Sequence, residues 1–274
     1  MLEGKVMPET DLALAERLAR EAGDILLRHW AARDRLTVTS KRVGDFVSQA
    51  DRDAEDHLRA GLARARPGDG WLGEESGAAA RGARRWIVDP LDGTTNFLRG
   101  IGHWAVSVAL EDADGLCLGV VRDPLRGESF AAARGAGATL NGRPLAVAET
   151  DAISAALFGT GIPFGGMAHI DAHAADIARL MPHCAGVRRM GAAALDLAYV
   201  AAGRLDGFWE RSLQPWDIAA GLVLLREAGA RVEGWTADER PEATGTVLTA
   251  TPALFPAFAS CIRSGPVEAG KEIP

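Results

Sequence analysis

Apolar residues recur at helical spacing through Leu14, Leu18, Ala22 and Ile25, and Thr10 stands where it can cap the start. The pattern predicts a helix running to about Trp30. A second stripe, Ala54, Leu58, Leu62 and Ala65, predicts a helix over 51–65, and Pro67-Gly68-Asp69-Gly70 then forces a turn. After that the period changes. Trp86-Ile87-Val88 reads as a short buried strand running into Asp89-Pro90. Segments 105–110 and 118–121 read as paired strands around a turn at 112–115, with a further strand over 129–132, and Asn141-Gly142 signals a hairpin. From 155 onward strands (155–159, 207–210, 247–250) alternate with helices (170–180, 192–202, 216–228, 252–262). An α/β (α+β) architecture of alternating layers follows. The change of pattern near Glu149-Thr150-Asp151 divides the chain into an α+β half, 1–148, and an α/β half, 149–274, together one compact unit.

Charge and composition narrow the function classes. The 274 residues carry a formal net charge of -7, so broad electrostatic binding to nucleic acid is not expected. Cys117, Cys184 and Cys261 are odd in number and far apart, which fits free thiols in a reducing compartment. No signal-peptide pattern and no apolar run of membrane-spanning length is present, and a cytoplasmic protein with no membrane partner is expected.

The sharpest chemical feature is Asp89-Pro90-Leu91-Asp92-Gly93-Thr94-Thr95-Asn96. Two carboxylates lie at a strand end, Pro90 fixes the backbone between them, and Gly93 permits a sharp turn. The Thr-Thr-Asn that follows can start a helix, whose first N–H groups suit a phosphate. A capped turn with solvated Asp side chains is the plain alternative. Glu74, behind the apolar lead Trp71-Leu72-Gly73, and Asp217, at the head of an apolar helix, are weak signals singly. Together, Glu74, Asp89, Asp92 and Asp217 form an all-oxygen donor set that favours Mg²⁺ or Mn²⁺ over zinc. His169 and His173 stand at i, i+4 without a third ligand nearby, and His103 beside Trp104 reads as packing.

These segments, with Gly44-Asp45-Phe46-Val47-Ser48-Gln49-Ala50-Asp51, Gly207-Phe208-Trp209-Glu210 and Trp216-Asp217-Ile218-Ala219-Ala220-Gly221, resemble the inositol monophosphatase family of magnesium-dependent, lithium-sensitive phosphatases over roughly 12–262. The resemblance implies a five-layered αβαβα sandwich, shared with fructose-1,6-bisphosphatase, and a homodimer. It implies two or three Mg²⁺ ions, with Mn²⁺ as a substitute: Glu74, Asp89 and the Leu91 carbonyl at one position, Asp89, Asp92 and Asp217 at another. Gly93, Thr94 and Thr95 would hold the phosphate. Glu210, Asp217 and the Gly191-Ala192-Ala193 segment would meet the alcohol, and Lys41 and Asp51 would belong to a mobile loop that approaches the site. Many relatives carry Ser or Thr where this chain has Ala192. The implied reaction is hydrolysis of inositol monophosphate by a metal-activated water, with Glu74 and Thr94 taking its proton. Alternative substrates are histidinol phosphate, fructose 1,6-bisphosphate and a 3'-phosphonucleotide, and some bacterial relatives also bind transcription machinery. An aspartyl-phosphate mechanism fits less well, because the acids are three apart, not two.

Overall fold

The computed structural model describes residues 9–36, 38–42, 45–162 and 170–264, without the side chains of 40–46. Its helices are α1 (Asp11–Ala31), α2 (Gln49–Ala65), α3 (Thr94–Arg99), α4 (Ile170–Leu180), α5 (Ala193–Ala201), α6 (Pro215–Glu227), α7 (Pro241–Thr244) and α8 (Phe255–Arg263). The hairpin β1 (Val38–Arg42) and β2 (Asp45–Ser48) stands apart from two larger sheets. The first is built from β3 (Gly70–Gly73), β4 (Gly77–Ala79), β5 (Arg85–Asp92), β6 (Ala105–Asp112), β7 (Gly115–Asp123), β8 (Glu128–Ala133), β9 (Gly137–Leu140) and β10 (Arg143–Leu145), in the order β10-β9-β8-β7-β6-β5-β3-β4. Only β3 and β5 run parallel in it. The second contains β11 (Leu157–Thr160), β12 (Gly186–Arg188), β13 (Gly207–Glu210), β14 (Arg231–Glu233) and β15 (Val247–Ala250), ordered β12-β11-β13-β15-β14.

Three hydrophobic cores explain the layering. Leu14, Leu18, Ala22, Leu26, Leu58 and Leu62 of α1 and α2 bury their stripe against Trp86, Val88, Val106, Val108 and Val120 of the large sheet. The other face of that sheet packs on α5 and α6, and these helices reach the second sheet through Phe208 and Val247. Phe158, Trp209, Leu248 and Ala250 then meet Leu180, Phe255, Phe258 and Ile262 of α4 and α8. The order is helix, sheet, helix, sheet, helix, as expected.

The middle helix layer explains a sequence property that amphipathic reasoning does not. Ile218–Leu225 of α6 is buried at every position, because the helix has a sheet on each side. Close approach is needed here: a Cβ on Gly119 of β7 would lie 2.8 Å from the Ala220 Cα, and one on Gly221 2.6 Å from the Leu197 side chain. The expected turn at Asn141-Gly142 forms between β9 and β10, both residues having positive φ (50° and 75°).

Several boundaries differ from the sequence pattern. β5 does not stop before Asp89-Pro90 but continues to Asp92, its pairing with β6 shifting between Asp89 and Asp92. The irregularity falls where Pro90 has no N–H to offer the ladder. α8 begins at Phe255, and residues 153–155 form a 3-10 turn before β11.

Candidate active site

The ends of β3 and β5 and the heads of α2, α3, α5 and α6 bring most of the expected residues together. Parallel pairing of β3 with β5 sets Gly73 opposite Val88, so Glu74 follows directly beside Asp89, and its N–H donates to the Val88 carbonyl at 3.2 Å. Glu55 of α2 stabilises that turn, its carboxylate accepting from the Glu75 N–H at 2.9 Å. Asp89 is 2% exposed, and its Oδ1 accepts from the Leu91 N–H at 2.9 Å, folding the Pro90 turn inward. Asp217 is in the first turn of α6, where it accepts from the Gln214 N–H at 2.7 Å. Ser107 of β6 fixes the same turn by donating to the Trp216 carbonyl at 3.1 Å.

Asp92 is held by a different element. Its Oδ2 accepts from the Ala194 N–H at 2.7 Å, with the Ala193 N–H assisting, so the carboxylate caps α5 across a separation of 102 residues. Gly93 adopts φ 91° at the start of α3, a conformation that favours glycine. A Cβ there would stand 2.9 Å from the His103 carbonyl and 3.2 Å from the Ala192 Cβ. Asn96, buried, joins these segments: its Nδ2 donates to the His103 and Met190 carbonyls, both at 2.8 Å.

The electrostatics follow from the crowding. Burial pushes the Asp89 carboxyl well above the usual range, and neighbouring Glu74, Asp92 and Asp217 push it further in the same direction. Burial, Asp196 and Glu74 raise Asp92 to about 7 against the two α5 N–H groups, which lower it. Glu210, at the end of β13, is also raised well above its ordinary value, first by burial and then by Asp217, Asp196 and Asp92. Its carboxylate lies against the backbone of Gly161, where no side chain would fit. Among the described residues, no three His, Cys, Asp or Glu side chains stand in ion-binding geometry as they are placed. Around Asp89 gather Glu74, Asp92 and Asp217, whose charges repel its own, and oxygen donors under mutual repulsion suit a hard divalent cation.

Four expected site residues have surroundings that the sequence does not show, or lie partly outside the described residues. Asp51, expected in a mobile loop, lies fully buried in the first turn of α2. Its side chain accepts from the Ser48 N–H and hydroxyl (2.9 and 2.6 Å), and its other oxygen accepts from Thr94 Oγ1 at 3.0 Å. A capping box fixes it, so it reaches the site as part of a helix. Lys41 falls in β1, and its side chain lies outside the described residues. Ala192, expected beside the alcohol, is 1% exposed and lies against Gly93, between the less buried Gly191 and Ala193. The Leu91 carbonyl, an expected ligand, here accepts from Thr94 Oγ1 at 3.0 Å, competing with Asp51 for a single hydroxyl proton.

Other residues were not singled out by the sequence. His103 is no packing residue alone: its Nε2 is 2.8 Å from Asp196 Oδ1, both groups being buried. Glu55 and Asp196 carry no local motif, and only the folded chain reveals their proximity. His173 stacks on Trp209, while His169 lies outside the described residues.

The sequence model of the inositol monophosphatase family matches residues 7–264. The chain belongs to the inositol monophosphatase family. It is a phosphatase of that family, which is generally metal-dependent. It is 51% identical over 220 residues to the inositol-1-monophosphatase of Rhizobium meliloti (strain 1021), covering 80% of this chain and 81% of that one. To the Nus factor SuhB of Pseudomonas aeruginosa it is 42% identical, covering 92% and 95%. The crystal structure of the extragenic suppressor protein suhB from Bartonella henselae superposes with a TM-score of 0.89 at 38% identity, over 92% of this chain and 98% of that one. No helix among the described residues of this phosphatase is long and apolar enough to cross a membrane.

Proposed function

We propose that this phosphatase hydrolyses a small phosphate monoester, inositol monophosphate foremost, with Mg²⁺ as its cofactor. The observation that carries the reading is the carboxylate cluster centred on the buried Asp89, set beside the Gly93 turn. Glu74, Asp89, Asp92, Asp217 and the Leu91 carbonyl would hold the cations, which when bound supply charge neutralisation and Lewis acidity. The donor set fits them: it is all oxygen, and its carboxylates repel one another around the buried Asp89.

The chain's own residues divide the remaining work. Gly93, Thr94 and Thr95 offer main-chain N–H groups and hydroxyls to the phosphate. Glu74 and Thr94 take the proton from the attacking water. Thr94 Oγ1 already donates to Asp51, whose carboxyl burial raises above its ordinary value, so the proton has a ready acceptor. Glu210 faces the alcohol and accepts hydrogen bonds from its hydroxyls, beside Gly191 and Ala193. The reaction is direct attack on phosphorus, with no phosphorylated side chain.

Glu210→Gln tests the substrate half of this reading. It should weaken turnover of inositol monophosphate by about 1.5–3 kcal/mol, the range for a hydrogen bond to a charged group. Hydrolysis of p-nitrophenyl phosphate, which has no ring hydroxyls, should change much less. Equal losses on both would assign Glu210 to the metal cluster or the fold and withdraw the polyol. A panel including histidinol phosphate, fructose 1,6-bisphosphate and 3'-phosphonucleotides would then identify the substrate.

The Nus factor name of one relative supports a second reading, an added role in binding transcription machinery. Capture of RNA polymerase components by an Asp89→Asn protein, inactive but folded, would separate that role from catalysis.

A further inference from the structure

Resting on the phosphatase reading above, we propose that His103 and Asp196 form a positioning pair that sets where the Asp92 carboxylate stands, and through it how tightly the second cation is held. His103 precedes β6, Asp196 lies in the first turn of α5, and 93 residues separate them in the chain. They meet at 2.8 Å, with exposures of 7% and 1%.

His103 is gripped twice. Its side chain bonds Asp196, while its carbonyl accepts from Asn96 of α3 at 2.8 Å. The same Asn96 amide reaches the Met190 carbonyl, two residues before Ala192. His103 is thereby linked to the segment that leads into α5 and, through Asp196, to α5 itself. Gly93 leaves no room between: a Cβ there would press on the same His103 carbonyl. One residue therefore fixes the separation between the Asp92-Gly93 turn and the start of α5.

That separation matters because the start of α5 holds Asp92. Oδ2 is occupied by the Ala194 N–H at 2.7 Å, with Ala193 adding a second donor. If α5 moves along its axis, Asp92 must follow or lose both bonds. Asp89, bonded locally to Leu91, does not depend on α5 in this way. The pair therefore acts on the Asp92 side of the site and leaves the Glu74–Asp89 side in place.

Filling the core does not require this arrangement. Apolar groups of similar volume can often replace both members of a buried ionisable pair. Removing one member leaves the other buried and unpaired and costs stability, which is why melting temperature is followed beside metal binding. The ring of His103 also packs edge-on against Tyr199, centroids 5.6 Å apart, a contact that a phenyl ring can keep. His103→Phe thus removes the bond to Asp196 while retaining bulk, and His103→Gln places an amide donor near the lost Nε2.

The direct readout is Mn²⁺ binding in the absence of substrate, followed by paramagnetic resonance, alongside kcat, KM and the Mg²⁺ dependence of turnover. His103→Phe should weaken the Mn²⁺ position that Asp92 serves roughly 10-fold, the scale on which residues behind metal ligands act, and leave any other unchanged. kcat should fall at limiting Mg²⁺ and recover at high Mg²⁺, with KM for the phosphate monoester within about twofold. His103→Gln should restore Mn²⁺ affinity to near wild type. Wild-type Mn²⁺ affinity in a His103→Phe protein whose melting temperature alone falls would overturn the pair, as would a Gln variant no better than Phe. If the Phe variant does not fold, Asp196→Ala breaks the same contact from the other side and must show the same loss of Mn²⁺ affinity. Absence of Mn²⁺ binding and Mg²⁺-dependent turnover in the wild-type protein would instead overturn the phosphatase reading on which the pair rests.

Discussion

Asp89→Asn should yield a folded protein whose turnover falls by at least about 10³-fold at saturating Mg²⁺. The substitution keeps shape and the hydrogen bond from the Leu91 N–H, since an amide oxygen can also accept. It removes the charge that would serve two cations, each worth several kcal/mol of transition-state stabilisation. Asp51→Asn is the informative comparison. Asp51 touches Thr94, not the acids around Asp89, so its loss should remove proton transfer alone, about 10²-fold. Steady-state rates on one phosphate monoester, with circular dichroism to verify folding, decide the matter. Comparable rates for Asp89→Asn and wild type would end the assignment of the cluster.

Stability without metal should change in the opposite sense. Asp92 is raised from its ordinary 3.8 to about 7, so between those values the folded chain binds a proton that the unfolded chain has released. Such a group favours the folded state fully below pH 3.8 and loses that contribution as pH rises through about 7. In EDTA the wild-type protein should therefore be less stable at pH 8 than at pH 5. Asp92→Asn can still accept from Ala194 and has nothing to deprotonate. It should gain on wild type with rising pH, by up to about 4 kcal/mol at pH 8 for a shift of roughly three units. Mg²⁺ should reverse the ranking by stabilising only the protein with its carboxylates intact. Urea unfolding of both proteins at the two pH values, with EDTA and with Mg²⁺, measures these differences. A difference between variant and wild type that does not grow with pH would mean that Asp92 titrates like an exposed carboxylate.

The legible parts of the molecule were those with a local physical cause. The stripe Leu14, Leu18, Ala22 predicted α1 because one face of that helix meets a sheet and the other meets water. Asn141-Gly142 predicted its turn because few other pairs accept two positive φ values. The acids were readable because Asp89, Asp92 and Gly93 share one short segment. Less legible was anything settled by a partner distant in sequence. The stripe over 51–65 places Asp51 at the start of a helix, but nothing local shows that this helix carries it to Thr94. His103 looked like filler because Asp196 is 93 residues away. Nothing local shows that Ala192 lies against Gly93, 99 residues earlier in the chain. The short strands β4, β10 and β12, three residues each, have no pattern long enough to read.

The buried run Ile218–Leu225 bears on how the site survives fluctuation. Amides in such a helix, covered on both sides, exchange with deuterated solvent only when the two sheets separate, which is unfolding of the whole molecule. Asp217 is joined to the head of that run. Fraying of α1 or opening of the β1–β2 hairpin can come and go without displacing it. One of the four acids is thus anchored to the segment last to yield, and thermal inactivation should track global melting, not the earlier loosening of the periphery.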